Sequence, residues 1–336
     1  MPDLSVKYMG LNLKNPIIAG SSGLSRTVDD LQRMEESGVA AVVMQSLFEE
    51  QIFLDVDFKM LKDGKKNSIH TRYSRSFDYI ETNTRNEYLL GYTNTIREAK
   101  KKLQIPLIAS INCISACGWT SFASRLQDAG ADAIELNIAV LTLSPLLSAN
   151  DIEQLHLDII HQVRAVVNIP VSVKISPFFT DPSHVIDNIA ATGVNGIVLF
   201  SRFFSPDIDI ENMKVTVASK FTTPNALPNT LRWIAMKSGT VSCDLCASTG
   251  VHSGGNVIKI LLAGGTATQI VSTLYRNGLG HATVMLNEIE AWMERKGYDS
   301  IDQFAGKMRF FESNTPAGTF ERIQFMKYYS QIENLL

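Results

Sequence analysis

A chain of 336 residues with net charge −3, 45% hydrophobic and 19% charged residues is ordinary globular material, long enough for one large domain or two smaller ones. The charge balance gives nucleic acid or an anionic membrane no purchase, and no run approaches the ~18 apolar residues of a membrane-crossing helix. Met1-Pro2-Asp3-Leu4-Ser5 shows no secretory pattern, and four cysteines in this length make no disulfide framework, so a cytoplasmic setting is expected.

The elements alternate. Leu4 to Lys14 reads as a hairpin leading into a first strand, Pro16 to Ser21. A helix opens at Thr27 with acids in its first turn and stops at Gly38. Strands are expected at Ala40–Ser46, Pro106–Asn112, Ala133–Ile138, Pro170–Ser176, Gly196–Ser201, Val241–Ser248 and Thr266–Thr273. Helices are expected at Thr120–Gly130, Asn150–Val167, Pro182–Gly193 and Gly280–Lys296, with a further stop at Gly265. Eight short apolar strands, each read as preceding a helix, predict a single-domain (β/α)8 barrel with an N-terminal hairpin; an open doubly wound sheet is the alternative. Two stretches exceed the minimal barrel: a lid-like insertion at about 47–95 and a small β excursion at about 203–224.

The most informative phrase is Thr249-Gly250-Val251-His252-Ser253-Gly254-Gly255, followed by a helix and then Thr268-Gln269-Ile270-Val271-Ser272-Thr273. A glycine turn after strand seven and hydroxyls after strand eight form the phosphate grip of many (β/α)8 barrels. Lys174 stands inside the apolar run Val171-Ser172-Val173. An ammonium there is expensive unless it reaches a partner at the strand end; the plain alternative is a snorkelling core lysine. Cys243 and Cys246 fall within the expected seventh strand, where residues three apart face opposite sides, so a shared metal is not expected. His156 and His161 are expected on a solvated helix face, and no metal site is expected.

Five segments together resemble the dihydroorotate dehydrogenase family, in particular its bacterial dihydroorotate dehydrogenase-like branch. They are Gly10 to Ile18, Ser46 to Ile52, Gly130 to Asn137, Val173 to Phe179, and the Thr249 to Gly278 phrase. The resemblance implies an FMN-dependent oxidoreductase acting on a CH–CH bond, converting dihydroorotate to orotate for pyrimidine biosynthesis, with a possible homodimer. It places the flavin against Ala19, Gly20, Ser21, Gln45, Ser46, Asn137, Lys174, Ser201, Gly250, Ser272 and Thr273, with Asn137 and Ser201 also toward substrate. Lys174 would stabilise charge on the reduced ring. Two departures stand out. Gln45 occupies the place of a second family lysine, and Val140 occupies the place of the cysteine base. Valine takes no proton, so Cys113, Cys117, Thr142 and Ser144 become candidate bases. A flavoenzyme with another small substrate, or a flavin-binding protein without turnover, remains an open alternative.

Overall fold

The computed structural model describes residues 1–50, 88–115, 119–140, 147–202 and 205–310. A two-stranded hairpin, β1 (Val6–Tyr8) and β2 (Leu11–Leu13), precedes the barrel. Its two-residue loop, Met9-Gly10, has φ of 54° and 79°, the double positive φ of a type I′ turn whose twist suits a hairpin.

The barrel strands are β3 (Ile17–Ala19), β4 (Ala41–Val43), β6 (Leu107–Cys113), β7 (Ala133–Ile138), β8 (Val171–Ile175), β9 (Gly196–Leu199), β12 (Asp244–Ser248) and β13 (Ala267–Ile270). All pair in parallel, in chain order, and β3–β13 closes the ring. The open-sheet alternative is therefore set aside. After Val43 the second strand breaks and resumes as β5 (Leu47–Phe48), which pairs with β6 farther along. The helices are α1 (Val28–Glu36), α2 (Tyr88–Lys102), α3 (Trp119–Asp128), α4 (Ala149–Arg164), α5 (Pro182–Ala191), α6 (Leu227–Lys237), α7 (Gly254–Leu262), α8 (Ser272–Asn277) and α9 (His281–Lys296).

Local chemistry sets several helix starts. Thr27 and Ser148 accept from the N–H groups of Asp30 and Asp151, whose carboxylates return the contact in capping boxes. Asp181 caps α5 ahead of Pro182. The stop expected at Gly265 is made one residue earlier, by Gly264 at φ +94°. Most strands are shorter than expected, and in two of them this moves a candidate residue out of the strand. The seventh begins at Asp244, so Cys243 lies outside it, and the eighth ends at Ile270, so Ser272 and Thr273 open α8 instead. His156 also departs from expectation: it is buried, with Nδ1 2.7 Å from the Ile152 carbonyl and its ring edge-on to Phe179.

Strand alternation divides the core in two. Outward residues such as Ile17, Val42, Leu107, Ile134 and Val173 pack against the helices in the large cluster. Inward residues Ile18, Val43, Ile108, Val198, Cys246 and Ala267 pack with Tyr8, Met9 and Leu13 of the hairpin. The hairpin thus plugs the barrel at the N-terminal strand ends, held by Met9 N–H donating to Asp244 Oδ2 at 2.7 Å. At the opposite end, β10 (Pro206–Asp209) and β11 (Lys214–Val217) pair antiparallel within the stretch expected as a β excursion. Of the expected insertion, residues 51–87 lie outside the described residues. Leu47–Phe48 belong to β5, and α2 begins at Tyr88 and packs on α1.

Candidate active site

A cavity of about 290 Å³ opens at the C-terminal strand ends, the face on which barrels of this kind carry their chemistry. Its floor is Lys174 of β8 and Gln269 of β13, and Asn137, Ser201 and Ser248 stand on neighbouring strand ends. One side is Thr249-Gly250-Val251 and Val271-Ser272; the other is Ser21. Lys220, Phe221 and Thr222, which follow the β10–β11 hairpin, complete the wall.

Lys174 is buried, and its ammonium has a partner. Nζ donates to Gln269 Oε1 at 2.8 Å and lies 3.9 Å from Glu135 Oε1. Gln269 Nε2 donates to Glu135 Oε2. All three side chains point into the barrel, and the register pairs Lys174 with Asn137, two residues farther along β7 than Glu135, so the ammonium stands above the acid. Burial pushes the Glu135 carboxyl above the usual carboxylate range, while Lys174 and the Gln269 hydrogen bond pull it back. The snorkelling alternative for Lys174 does not describe this geometry, since the side chain turns inward to an acid and an amide.

The glycine turn has a steric cause. Gly250 has φ +76°, and a Cβ there would sit 2.3 Å from the backbone nitrogen of Leu227, the first residue of α6. No side chain fits there, so this turn, which lines the cavity, requires glycine at position 250. Ser272 Oγ accepts from Thr222 N–H at 3.0 Å, tying the wall segment to the eighth strand end. Phe221 stacks on Tyr275 at 5.2 Å between ring centres. Thr273 is fully buried and its hydroxyl accepts from Asn277 Nδ2 at 3.0 Å, so it faces its own helix rather than the cavity.

Ser21 and Ser46 meet at 3.0 Å between hydroxyls, and Ser46 reaches Ser110 at 2.7 Å. Ser201 Oγ donates to Asn137 Oδ1 at 2.5 Å, which leaves the Asn137 amide N–H groups for a ligand. Gly20 N–H donates to Ile270 O at 3.1 Å beside the cavity wall, and Ala19 is fully buried within β3. Gln45 is half-buried, with its backbone N–H on Ser25 O. Among the described residues the charged ones lining the cavity are Lys174, Arg202 and Lys220, with no carboxylate among them.

The candidate bases divide sharply. Cys117, Thr142 and Ser144 lie outside the described residues. Cys113 is fully buried, and burial together with the Glu49 carboxylate raises its thiol well above the usual range. A sealed, neutral thiol is a poor proton acceptor. Val140 is half-buried and packs against the outer core. Burial lifts the Cys243 thiol to about 12 and raises that of Cys246 further, in keeping with a core role for both. Among the described residues no cluster of three or more His, Cys, Asp or Glu could hold a metal ion.

Glu135 and Gln269 escaped the sequence reading as site residues. The signal was the one that exposed Lys174: a charged or amide side chain at an inward position of an otherwise apolar strand. Arg202, Lys220 and Tyr275 carried no such signal, because their placement depends on how the wall segment folds back.

An FMN fits these residues. Its ring edge needs a cation and amide donors, which Lys174 and Asn137 offer, and its phosphate needs backbone N–H groups and a hydroxyl, which the Gly250 turn and Ser272 offer. Residues 81–293 match the profile of the family described as dihydroorotate dehydrogenase. The chain is 24% identical over 313 residues to the dihydroorotate dehydrogenase B (NAD(+)) catalytic subunit of Thermoplasma volcanium, covering 91% of this chain and 98% of that one. It is 23% identical over 328 residues to dihydroorotate dehydrogenase A (fumarate) of Lactobacillus helveticus, covering 92% and 100%. With the chloroplastic dihydropyrimidine dehydrogenase (NADP(+)) of Arabidopsis thaliana it shares 22% over 340 residues, covering 94% and 79%. With a closed parallel barrel, a polar cavity at its C-terminal strand ends and a profile match across more than half its length, this chain belongs to the dihydroorotate dehydrogenase family.

Proposed function

We propose that this protein is an FMN-dependent oxidoreductase that removes two electrons from a ring CH–CH bond of a small dihydropyrimidine-type substrate. The observation that carries this reading is the cavity itself: a buried ammonium at the floor, a turn at one end that admits only glycine at position 250, and only cations among the charged lining residues that are described. When bound, FMN supplies the two-electron acceptor. Gly250 and Ser272 hold its phosphate, Lys174 stands where negative charge collects on reduction, and Ser21, Ser46 and Asn137 hold polar edges. Asn137 and Ser201, hydrogen-bonded to each other, orient the substrate. A cation-lined cavity favours an anionic ligand such as dihydroorotate.

Proton removal from carbon is where this chain departs from its family. A positioned base contributes about 10²–10⁴-fold. Val140 supplies none, and the Cys113 thiol is sealed and held neutral. Among the described residues no candidate base is in place, so the reading is that turnover of dihydroorotate is slow or absent and accelerates with pH; a flavoenzyme for another substrate, or a flavin-binding protein without turnover, is the second reading. The electron acceptor does not carry over, because the relatives are named for NAD(+), fumarate and NADP(+).

Purified protein should be yellow and release FMN on denaturation; colourless protein that takes up no flavin ends the reading. Anaerobic stopped-flow reduction by dihydroorotate across pH then separates enzyme from binder. Cys113→Ser should leave the reduction rate within twofold; a large loss would make Cys113 the base.

A further inference from the structure

We propose that Glu135 is a positioning residue for Lys174: through the Gln269 amide it fixes where the ammonium stands on the cavity floor and offsets part of its charge, and so sets the reduction potential of the flavin held above it. The proposal rests on the FMN reading above.

The chemistry of the end members orients the bridge. Lys174 can only donate and an ionised Glu135 can only accept, so the Gln269 amide must turn its oxygen to the lysine and its nitrogen to the carboxylate. The reverse orientation would set donor against donor. The bridge spans β7, β8 and β13, which meet only because the barrel closes. It uses one of the three Lys174 N–H donors. The direct ion pair is long and makes no hydrogen bond: Nζ lies 3.9 Å from Glu135 Oε1, and that oxygen is buried with no hydrogen-bond partner.

As a stabilising device this arrangement is poor. Burying a carboxylate with one unsatisfied oxygen costs free energy, and an apolar trio of similar volume would hold the strands as well or better. What the bridge does produce is a cation held at the floor with a negative charge directly beneath it. Negative charge below the floor opposes the arrival of electrons above it, so Glu135 lowers the flavin potential that Lys174 raises.

The other groups near Glu135 do not confuse this assignment. Cys246 of β12, Tyr8 of the hairpin and Tyr92 of α2 all feel its charge. Burial raises each of them, so all three stay neutral through the neutral range. Among the described residues that leaves the Glu135 carboxyl as the group whose charge changes beside Lys174. At low pH Glu135 is neutral and the potential sits high. As pH rises through its titration the potential falls more steeply than the flavin's own protons require.

The experiment is spectroelectrochemical titration of the FMN-loaded protein from acidic to alkaline pH, as far as the fold allows, for the wild type, Glu135→Gln and Glu135→Asp, with FMN stoichiometry and thermal melting measured in parallel. Glu135→Gln should raise the midpoint potential and remove the extra pH dependence while keeping FMN at one per chain. Glu135→Asp keeps the charge and should return the potential part of the way to wild type. If Glu135→Gln does not fold, Glu135→Met replaces it with the same expected rise. A folded, FMN-loaded neutral variant whose potential matches the wild type at every pH, or lies below it, overturns the proposal. A merely structural Glu135 would give that result together with a lower melting temperature. Wild-type protein that takes up no FMN ends the cofactor reading and the tuning role together, whereas FMN uptake with a potential indifferent to Glu135 ends the tuning role alone.

Discussion

Ile18, Ile108, Ala133, Cys246 and Ala267 close the lower barrel over Tyr8 and Met9, all of them buried. Two residues farther along the same five strands stand Gly20, Ser110, Glu135, Ser248 and Gln269. The same step on β8 leads from Ser172 to Lys174. One inward step of about 7 Å turns an apolar plug into a polar floor. The strands are identical backbones, so the contrast lies in side chains alone. The lower layer is free to maximise packing because a hairpin seals it. The upper layer accepts a buried acid, a buried amide and a buried ammonium because a cavity lies above them.

Mutations at the two levels should separate stability from cofactor chemistry. The largest effect is expected at the plug. Tyr8→Ala should cost about 3–5 kcal/mol of stability, as truncations of buried aromatics do, and leave the flavin potential unchanged. Chemical denaturation and potentiometry check the two halves; a shifted potential would mean that the plug and the floor are coupled. Next comes Gly250→Ala. Its backbone conformation and the approach of Leu227 should make it cost about 1–3 kcal/mol, with FMN stoichiometry falling well below one. Retained FMN would place the phosphate elsewhere.

Lys174→Met should weaken FMN binding by about 1.5–3 kcal/mol, the worth of one charge-assisted contact, and lower the potential, with little change in melting temperature. Unchanged affinity by equilibrium dialysis would return Lys174 to a structural role. A subtler test uses pH. Glu135 titrates higher in the folded protein than in the unfolded chain. The folded state therefore holds the extra proton, and stability falls as pH rises from the unfolded carboxyl's ordinary value through the folded one. Denaturation curves of Glu135→Gln should lack that decline; curves parallel to wild type would mean that the Glu135 carboxyl is not shifted. The smallest effect belongs to the β10–β11 hairpin, where Ile208 and Val215 are paired yet exposed. Ile208→Thr should change stability by less than about 0.5 kcal/mol, and a larger loss would reveal a covering surface on that face.

Much of the frame was legible in the chain. Eight inward–outward alternating strands announce themselves because a parallel strand buried on both faces has little room for polar residues. α1, α4 and α5 carry capping side chains that mark their starts. α2 and α6 went unnamed in the sequence for a physical reason: α6 begins with no side-chain cap, and α2 emerges from a polar stretch with three lysines in its last turn. The eighth strand ends at Ile270, short of the expected Thr273, because Val271 to Thr273 are β-branched or hydroxyl residues that suit either state.

The sequence alone determined the order of strands, the glycine turn at Gly250 and the inward Lys174, because local sterics and the cost of a buried charge act within a few residues. Tertiary structure decided what Lys174 faces. Glu135 and Gln269 stand 134 positions apart in the chain, and no local rule joins them. Only closure of the ring, with β13 pairing β3, carries both side chains to one depth inside the barrel and makes one buried site of three residues that are separately unfavourable there.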